Sequence, residues 1–155
     1  MIQLKIRSLE IAEGSPLVRV TLQDVASERQ LHIWVGLPEA SAIQSELEGS
    51  KPARPMTHDL MANLLSTLQV RVLQLLISEM KEDTFYAILT ISANGRLHKV
   101  DCRPSDGIAL AVRCDAPIFI GEELLSHIER LHEEQGIRPP HPGAIVVERE
   151  DTTIH

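Results

Sequence analysis

The sequence predicts an α+β fold: a mixed, mostly antiparallel sheet with flanking helices. Three observations carry this prediction. Several segments alternate apolar and polar residues with a period of two. An Asn94-Gly95 pair separates two of them and marks a tight hairpin, because both residues tolerate the positive φ of a type I′ turn. Shorter stretches with helical spacing follow Pro, Ser or Thr positions that suit helix starts.

Taken in order, Ile2-Leu4-Ile6, Val18-Val20-Leu22 and Leu31-Ile33-Val35 each occupy alternate positions and read as three strands, with turns at Glu13-Gly14-Ser15-Pro16 and Ala26-Ser27-Glu28. Pro38 opens a helix on which Ala40, Ile43 and Leu47 share a side, and Gly49 stops it. After a polar loop, Thr57 is placed as the N-cap of a second helix with a Met61-Leu64-Leu65-Leu68 stripe. Residues 70–80 are apolar on both faces in places, which suits a central strand. Thr84 to Ile91 alternates again, and Asn94-Gly95 sets Ala93 opposite Arg96, Ile91 opposite His98 and Leu89 opposite Val100. Ser105 is placed as the cap of a short helix, Gly107 to Val112, apolar nearly all round and therefore buried. Pro117 to Ile120 is a short buried strand. Gly121 opens a last helix with Leu124, Leu125, Ile128 and Leu131 inward, and Gln135-Gly136 ends it.

Three strands precede Arg54-Pro55-Met56-Thr57 and three precede Arg103-Pro104-Ser105. A helix follows each, and the two arginines stand 49 positions apart. This suggests internal duplication of a three-strand-plus-helix unit, with an extra helix in the first half. The expected domain is 1–134. Residues 135–155, rich in Pro and acidic residues, are expected to form a flexible tail.

A chain of 155 residues and 17.3 kDa buries roughly 70% of its unfolded surface and holds a core without staples. Two cysteines, Cys102 and Cys114, are too few for a disulfide framework. No 18-residue apolar run and no signal-peptide pattern occur, so a cytoplasmic protein with no membrane span is expected. The net charge of −7 argues against a general electrostatic nucleic-acid binder. Four aromatic residues, Trp34, Phe85, Tyr86 and Phe119, make a base-stacking platform a poor reading. An antiparallel sheet with free edges and the nearly all-apolar helix at 107–112 lead to the expectation of a homo-oligomer, a two-fold dimer first.

The residues that can carry chemistry gather at the two helix starts. Arg54 and Arg103 each stand just before a helix N-terminus, where backbone N–H groups attract anions and an arginine beside them makes a phosphate clamp. Asp59, Asp101 and Asp106 supply hard oxygen ligands suited to Mg²⁺ or Mn²⁺. His58 suits general acid–base work or ligation. On this reading His58, Asp106, Arg54 and Arg103 are catalytic, Asp59, Asp101 and Asp106 hold metal, and all six line one pocket. A plainer use of the same residues is an ion-pair network, Arg103 with Asp101 or Asp106 in particular. His98 reads as a core or interface histidine and the two cysteines as buried thiols.

Three segments, Arg54-Pro55-Met56-Thr57-His58-Asp59-Leu60, Thr84-Phe85-Tyr86-Ala87 and Asp101-Cys102-Arg103-Pro104-Ser105-Asp106-Gly107-Ile108-Ala109-Leu110-Ala111, resemble the bifunctional nuclease domain family. The resemblance spans roughly residues 1–134. It implies an α/β domain with nuclease activity on DNA and RNA, in oligomeric bacterial proteins. The family pattern more often has Ala where Gly107 stands. The resemblance thus implies DNA and RNA as substrates. The residues leave a non-enzymatic anion- or nucleotide-binding module, or an assembly protein, as alternatives.

Overall fold

A computed structural model describes residues 1–140. The chain runs β1 (Ile2–Ile11), β2 (Val18–Asp24), β3 (Gln30–Val35), α1 (Leu37–Leu47), α2 (Thr57–Thr67), β4 (Arg71–Lys81), β5 (Thr84–Ala93), β6 (Arg96–Cys102), α3 (Pro104–Arg113), β7 (Ile118–Ile120) and α4 (Glu122–Gln135). All seven strands form one sheet in the order β3-β2-β1-β7-β4-β5-β6. Every neighbouring pair is antiparallel except β4 with β7. The predicted mostly antiparallel α+β architecture is therefore the one adopted, and β4 is central as its two-sided apolar character required.

The β5–β6 hairpin has the register that Asn94-Gly95 dictates, with Ala93 opposite Arg96, Ile91 opposite His98 and Leu89 opposite Val100. Asn94 and Gly95 hold φ of 52° and 75°, the left-handed pair a type I′ turn needs. Each half of the chain contributes a three-stranded meander, one on either side of β7. The halves differ after their strands: α1 and α2 follow the first meander, whereas α3, β7 and α4 follow the second.

The core lies mainly on one face of the sheet, where Leu22, Leu31, Leu75, Ile77 and Ile120 are fully buried together with Ile43 of α1 and Ile108 of α3. Burying side chains of this size contributes about 1.5–3 kcal/mol each. α3 packs against α1, α2, β4 and β5, and seven of its ten residues are buried. Its all-apolar character is therefore spent inside the chain, not on a contact between chains. α4 packs on β3 and β4.

Four details differ from expectation. Thr57 and Ser105 lie inside their helices, and the caps are the extended residues Met56 and Arg103. Pro104 takes the first helical position, where its missing N–H costs nothing, and this moves Ser105 inward. At α2, Asp59 reaches back to accept the Met56 N–H at 2.9 Å, which replaces a hydroxyl cap. Second, α2 turns Leu64 and Leu68 to solvent, with only Leu65 of the expected stripe half-buried. Third, His98 is exposed and not part of the core, because it lies on the edge strand β6. Fourth, the cysteines are half-buried; burial, then Asp101 and Asp106, push the Cys102 thiol up to about 11. Among the described residues no helix is long and apolar enough to cross a membrane. The tail expected from 135 begins as the last residue of α4 and Gly136; residues 141–155 lie outside the described residues.

Candidate functional site

Three helices begin close together, and each carries an acid at its third position: Glu39 in α1, Asp59 in α2 and Asp106 in α3. Acids in a first turn complement the positive end of the helix dipole. A Cβ at Gly36, the N-cap of α1, would sit 2.6 Å from Glu39 Oε2, so glycine leaves room for that carboxylate.

His58 is the second residue of α2 and is 8% exposed. It lies on the helix side that packs toward the core with Ala62 and Leu65. Its Nε2 is 2.9 Å from Asp106 Oδ1. The other Asp106 oxygen accepts Arg103 Nε at 2.8 Å. Arg103 also donates through Nη2 to Glu39 Oε1 at 3.1 Å. The N-terminal turns of all three helices are thereby tied into one chain of contacts, Glu39–Arg103–Asp106–His58. A second chain lies beside it. Arg113 Nε donates to Asp59 Oδ1 at 2.8 Å, and Nη1 donates to the Ala109 carbonyl at 2.8 Å.

The electrostatics follow from these contacts. Burial pushes the Asp106 carboxyl upward, but the hydrogen bonds and charges of Arg103 and His58 outweigh it and hold the group below its usual range. Asp59 is held low by Arg113 and by the Met56 N–H. Arg103 is pushed further up by Asp106. The pairing of Arg103 with Asp106 is one of the two that the ion-pair reading anticipated.

Of the six residues expected to share a pocket, the structure brings together His58, Arg103 and Asp106. Asp59 starts on the same helix turn as His58 but faces Arg113. Arg54 is exposed in the loop before α2 and makes no side-chain hydrogen bond or ion pair among the described residues. Asp101 is exposed on β6. Its neighbour Cys102 points at α3, where its Sγ is 3.0 Å from the position of a Gly107 Cβ. Successive strand residues point to opposite faces, so Asp101 is on the far face of the sheet from Asp106. The structure thus joins three of the six, His58, Arg103 and Asp106, by direct contacts, with Asp59 held on Arg113 and Asp101 on the other face of the sheet.

That arrangement bears on the expected metal. Both Asp106 oxygens and both Asp59 oxygens are engaged by nitrogen donors, and Asp101 is across the sheet. Among the described residues no group of three or more His, Cys, Asp or Glu side chains is arranged to hold an ion. The Asp59-Asp101-Asp106 set does not fit Mg²⁺ or Mn²⁺ within this chain.

The sequence reading missed Glu39 and Arg113. Both sit at unremarkable helix positions, and their partners lie 64 and 54 residues away; no local pattern announces such contacts.

The model of the bifunctional nuclease domain family matches residues 20–132. Two uncharacterized proteins of Mycobacterium tuberculosis, from strains CDC 1551 and H37Rv, are each 40% identical over 105 residues. The matched region covers 68% of this chain and 62% of each relative. The chain thus spans under two thirds of the length of these curated relatives.

Proposed function

The chain belongs to the bifunctional nuclease domain family, and from that premise we propose that it hydrolyses phosphodiester bonds of DNA and RNA at the His58–Asp106–Arg103 cluster. The observation that supports this most is the 2.9 Å contact between His58 Nε2 and an Asp106 carboxylate that also holds Arg103. An ionised carboxylate accepting Nε2–H leaves Nδ1 unprotonated and able to take a proton. His58 Nδ1 removes a proton from the attacking water as its oxygen bonds to phosphorus. The bond to the leaving nucleotide oxygen breaks, and that oxygen takes a proton from solvent water, the resulting hydroxide being neutralised by the proton His58 releases. Arg103 spends Nε and Nη2 on carboxylates; its remaining N–H groups neutralise charge on the phosphoryl oxygens. Arg54, exposed four residues before His58, contacts the flanking backbone phosphate. Divalent metal assistance was expected, but the donor set does not fit, and no step is drawn through an ion.

A second reading has its own support. Every carboxylate oxygen of Asp59 and Asp106 already has a partner, which suits a non-enzymatic module that binds an anion at the helix N-termini.

The deciding experiment assays the purified chain on plasmid DNA and on RNA, with and without EDTA, beside His58→Ala. Cleavage that persists in EDTA and drops at least ~100-fold in the variant supports catalysis by this cluster. Loss of cleavage in EDTA would overturn the metal-free chemistry. No cleavage, together with a rise in melting temperature on adding inorganic phosphate, favours the binding module.

A further inference from the structure

The carboxyl ends of α2 and α3 close in the same unusual way, and both closures border one cleft. Each helix is followed by a residue in the left-handed region, Gln69 with φ of 59° and Asp115 with φ of 53°. The Val70 N–H then donates to the Leu65 carbonyl at 2.8 Å, and the Ala116 N–H to the Ala111 carbonyl at 2.9 Å. Glycine is the residue that takes this closing position without steric cost. α1 uses it: Gly49 has φ of 71°, and the Ser50 N–H donates to the Ser45 carbonyl at 2.9 Å. Among the described residues, the other non-glycine positions with positive φ, Glu82, Asp83 and Asn94, lie in two-residue hairpin turns that demand it. Two helices thus keep a strained polar side chain where glycine would be easier, and backbone strain of this kind gathers at ligand sites.

The cleft has a volume of about 630 Å³, within the range of small-molecule sites. Leu65 and Val72 line it with apolar surface, and Ser66, Gln69, Arg71 and Asp115 with polar groups. β4 and β7 run parallel with Leu75 beside Ile118, which brings Arg71 and Asp115 to the same end of the sheet. Both are exposed, and among the described residues neither side chain makes a hydrogen bond or ion pair, with the other or elsewhere. We propose that this cleft binds a small zwitterion with an apolar side chain, an amino acid or dipeptide of the leucine type. Arg71 takes its carboxylate. Asp115 takes its ammonium, which also meets the negative ends of two helix dipoles. Arg113, the basic residue in the last turn of α3, is spent on Asp59, and α2 has none there. A phosphate or nucleotide fits poorly, since Asp115 and both helix ends would repel it. His58 and Asp106 stand at the opposite, amino ends of the same two helices. The cleft is therefore separate from the proposed cleavage site, and neither proposal depends on the other.

Thermal unfolding and titration calorimetry with L-leucine and L-leucyl-L-leucine test the site, with N-acetyl-L-leucine and L-leucinamide as the singly blocked forms. At ~10 mM, L-leucine or the dipeptide should raise the wild-type melting temperature, and each blocked form should bind at least ~10-fold more weakly. Asp115→Gly removes the carboxylate and the strained conformation together. It is expected to melt above the wild type without ligand and to lose the response to both zwitterions. Asp115→Asn, whose side chain tolerates this conformation, should lose the response with little change in its own melting temperature. Arg71→Gln should abolish the preference for L-leucine over L-leucinamide. A wild type that responds to neither zwitterion overturns the proposal. So does a response that survives in Asp115→Gly, or an Asp115→Gly protein that melts below the wild type, since the side chain would then serve the fold alone.

Discussion

His58 and Asp106 stand 48 positions apart and meet at 2.9 Å, each in the first turn of its own helix. The contact fastens α2 to α3 and presents a histidine oriented by a carboxylate.

Asp106→Asn tests both roles. The carboxylate answers His58 and Arg103 at once, and Arg103 keeps only Glu39 when it is removed. Stability should fall by about 1 kcal/mol, a modest figure because the Arg103 side chain is 41% exposed. Nuclease activity, if the cluster is catalytic, should fall far more than this stability loss explains. Thermal unfolding and initial cleavage rates measured on one preparation separate the effects. Full activity in a folded Asp106→Asn protein would remove Asp106 from the mechanism.

The Arg113–Asp59 pair should be strongly coupled. Arg113 is only 5% exposed in its side chain and Asp59 21%. Arg113→Met leaves a partly buried carboxylate without its cation and should cost about 2 kcal/mol. Arg113→Met/Asp59→Asn should cost less than the two single changes together. A urea-unfolding cycle that shows strict additivity would mean the pair contributes nothing of its own.

Gly107→Ala should destabilise this chain by about 1 kcal/mol, although Ala is the better helix former by up to ~1 kcal/mol. The added Cβ would lie 2.5 Å from Leu75 Cδ1 and 3.0 Å from Cys102 Sγ. Leu75 is fully buried and has little room to withdraw. Adding Leu75→Val should recover part of the loss. A raised melting temperature for Gly107→Ala alone would show that the Leu75 side chain yields at little cost.

Stability should fall as the pH drops from about 6.5 toward 4. His32 is buried, with Nδ1 3.0 Å from Thr21 Oγ1 and its ring 5.3 Å from that of His132. Burial, then the neighbouring His132 and Arg19, push its pKa down to about 4. The unfolded chain therefore takes up this proton first, so stability is whole above the unfolded value and is lost on the way down to the folded one. At ~1.4 kcal/mol per pH unit the loss between pH 7 and 4.5 is about 2 kcal/mol. Asp59 and Asp106, held low by their partners, extend the loss below pH ~4 in the same direction. Urea midpoints across this range check it, and His32→Gln should flatten the limb between pH 6.5 and 4.5. A wild-type midpoint that is level there would refute the assignment to His32.

The elements that were legible in the sequence are those whose cause is local. The β5–β6 register follows from alternation on both sides of Asn94-Gly95, and a one-residue slip would turn Leu89 out of the core. That a helix follows Arg103-Pro104-Ser105 was legible too, although Pro104 starts it earlier than a Ser105 cap would, because its fixed φ and missing N–H suit a first turn.

The spacing in α2 showed which residues share a side of the helix, but not which side meets the protein. Met61, Leu64, Leu65 and Leu68 read as one inner stripe, yet only Leu65 of them turns inward, beside His58 and Ala62, because α3 offers Asp106 and Arg113 there. The site divides in the same way. From the residues alone, arginines and acids gathered at helix starts, and that much was local. Asp106 meeting His58, Arg103 reaching Glu39, Asp59 taken by Arg113 and Asp101 sent across the sheet depended on how three helices dock on a seven-stranded sheet. Helix starts and hairpin registers are set by a few neighbouring residues, whereas the partner of a charged side chain is set by packing between segments some fifty residues apart.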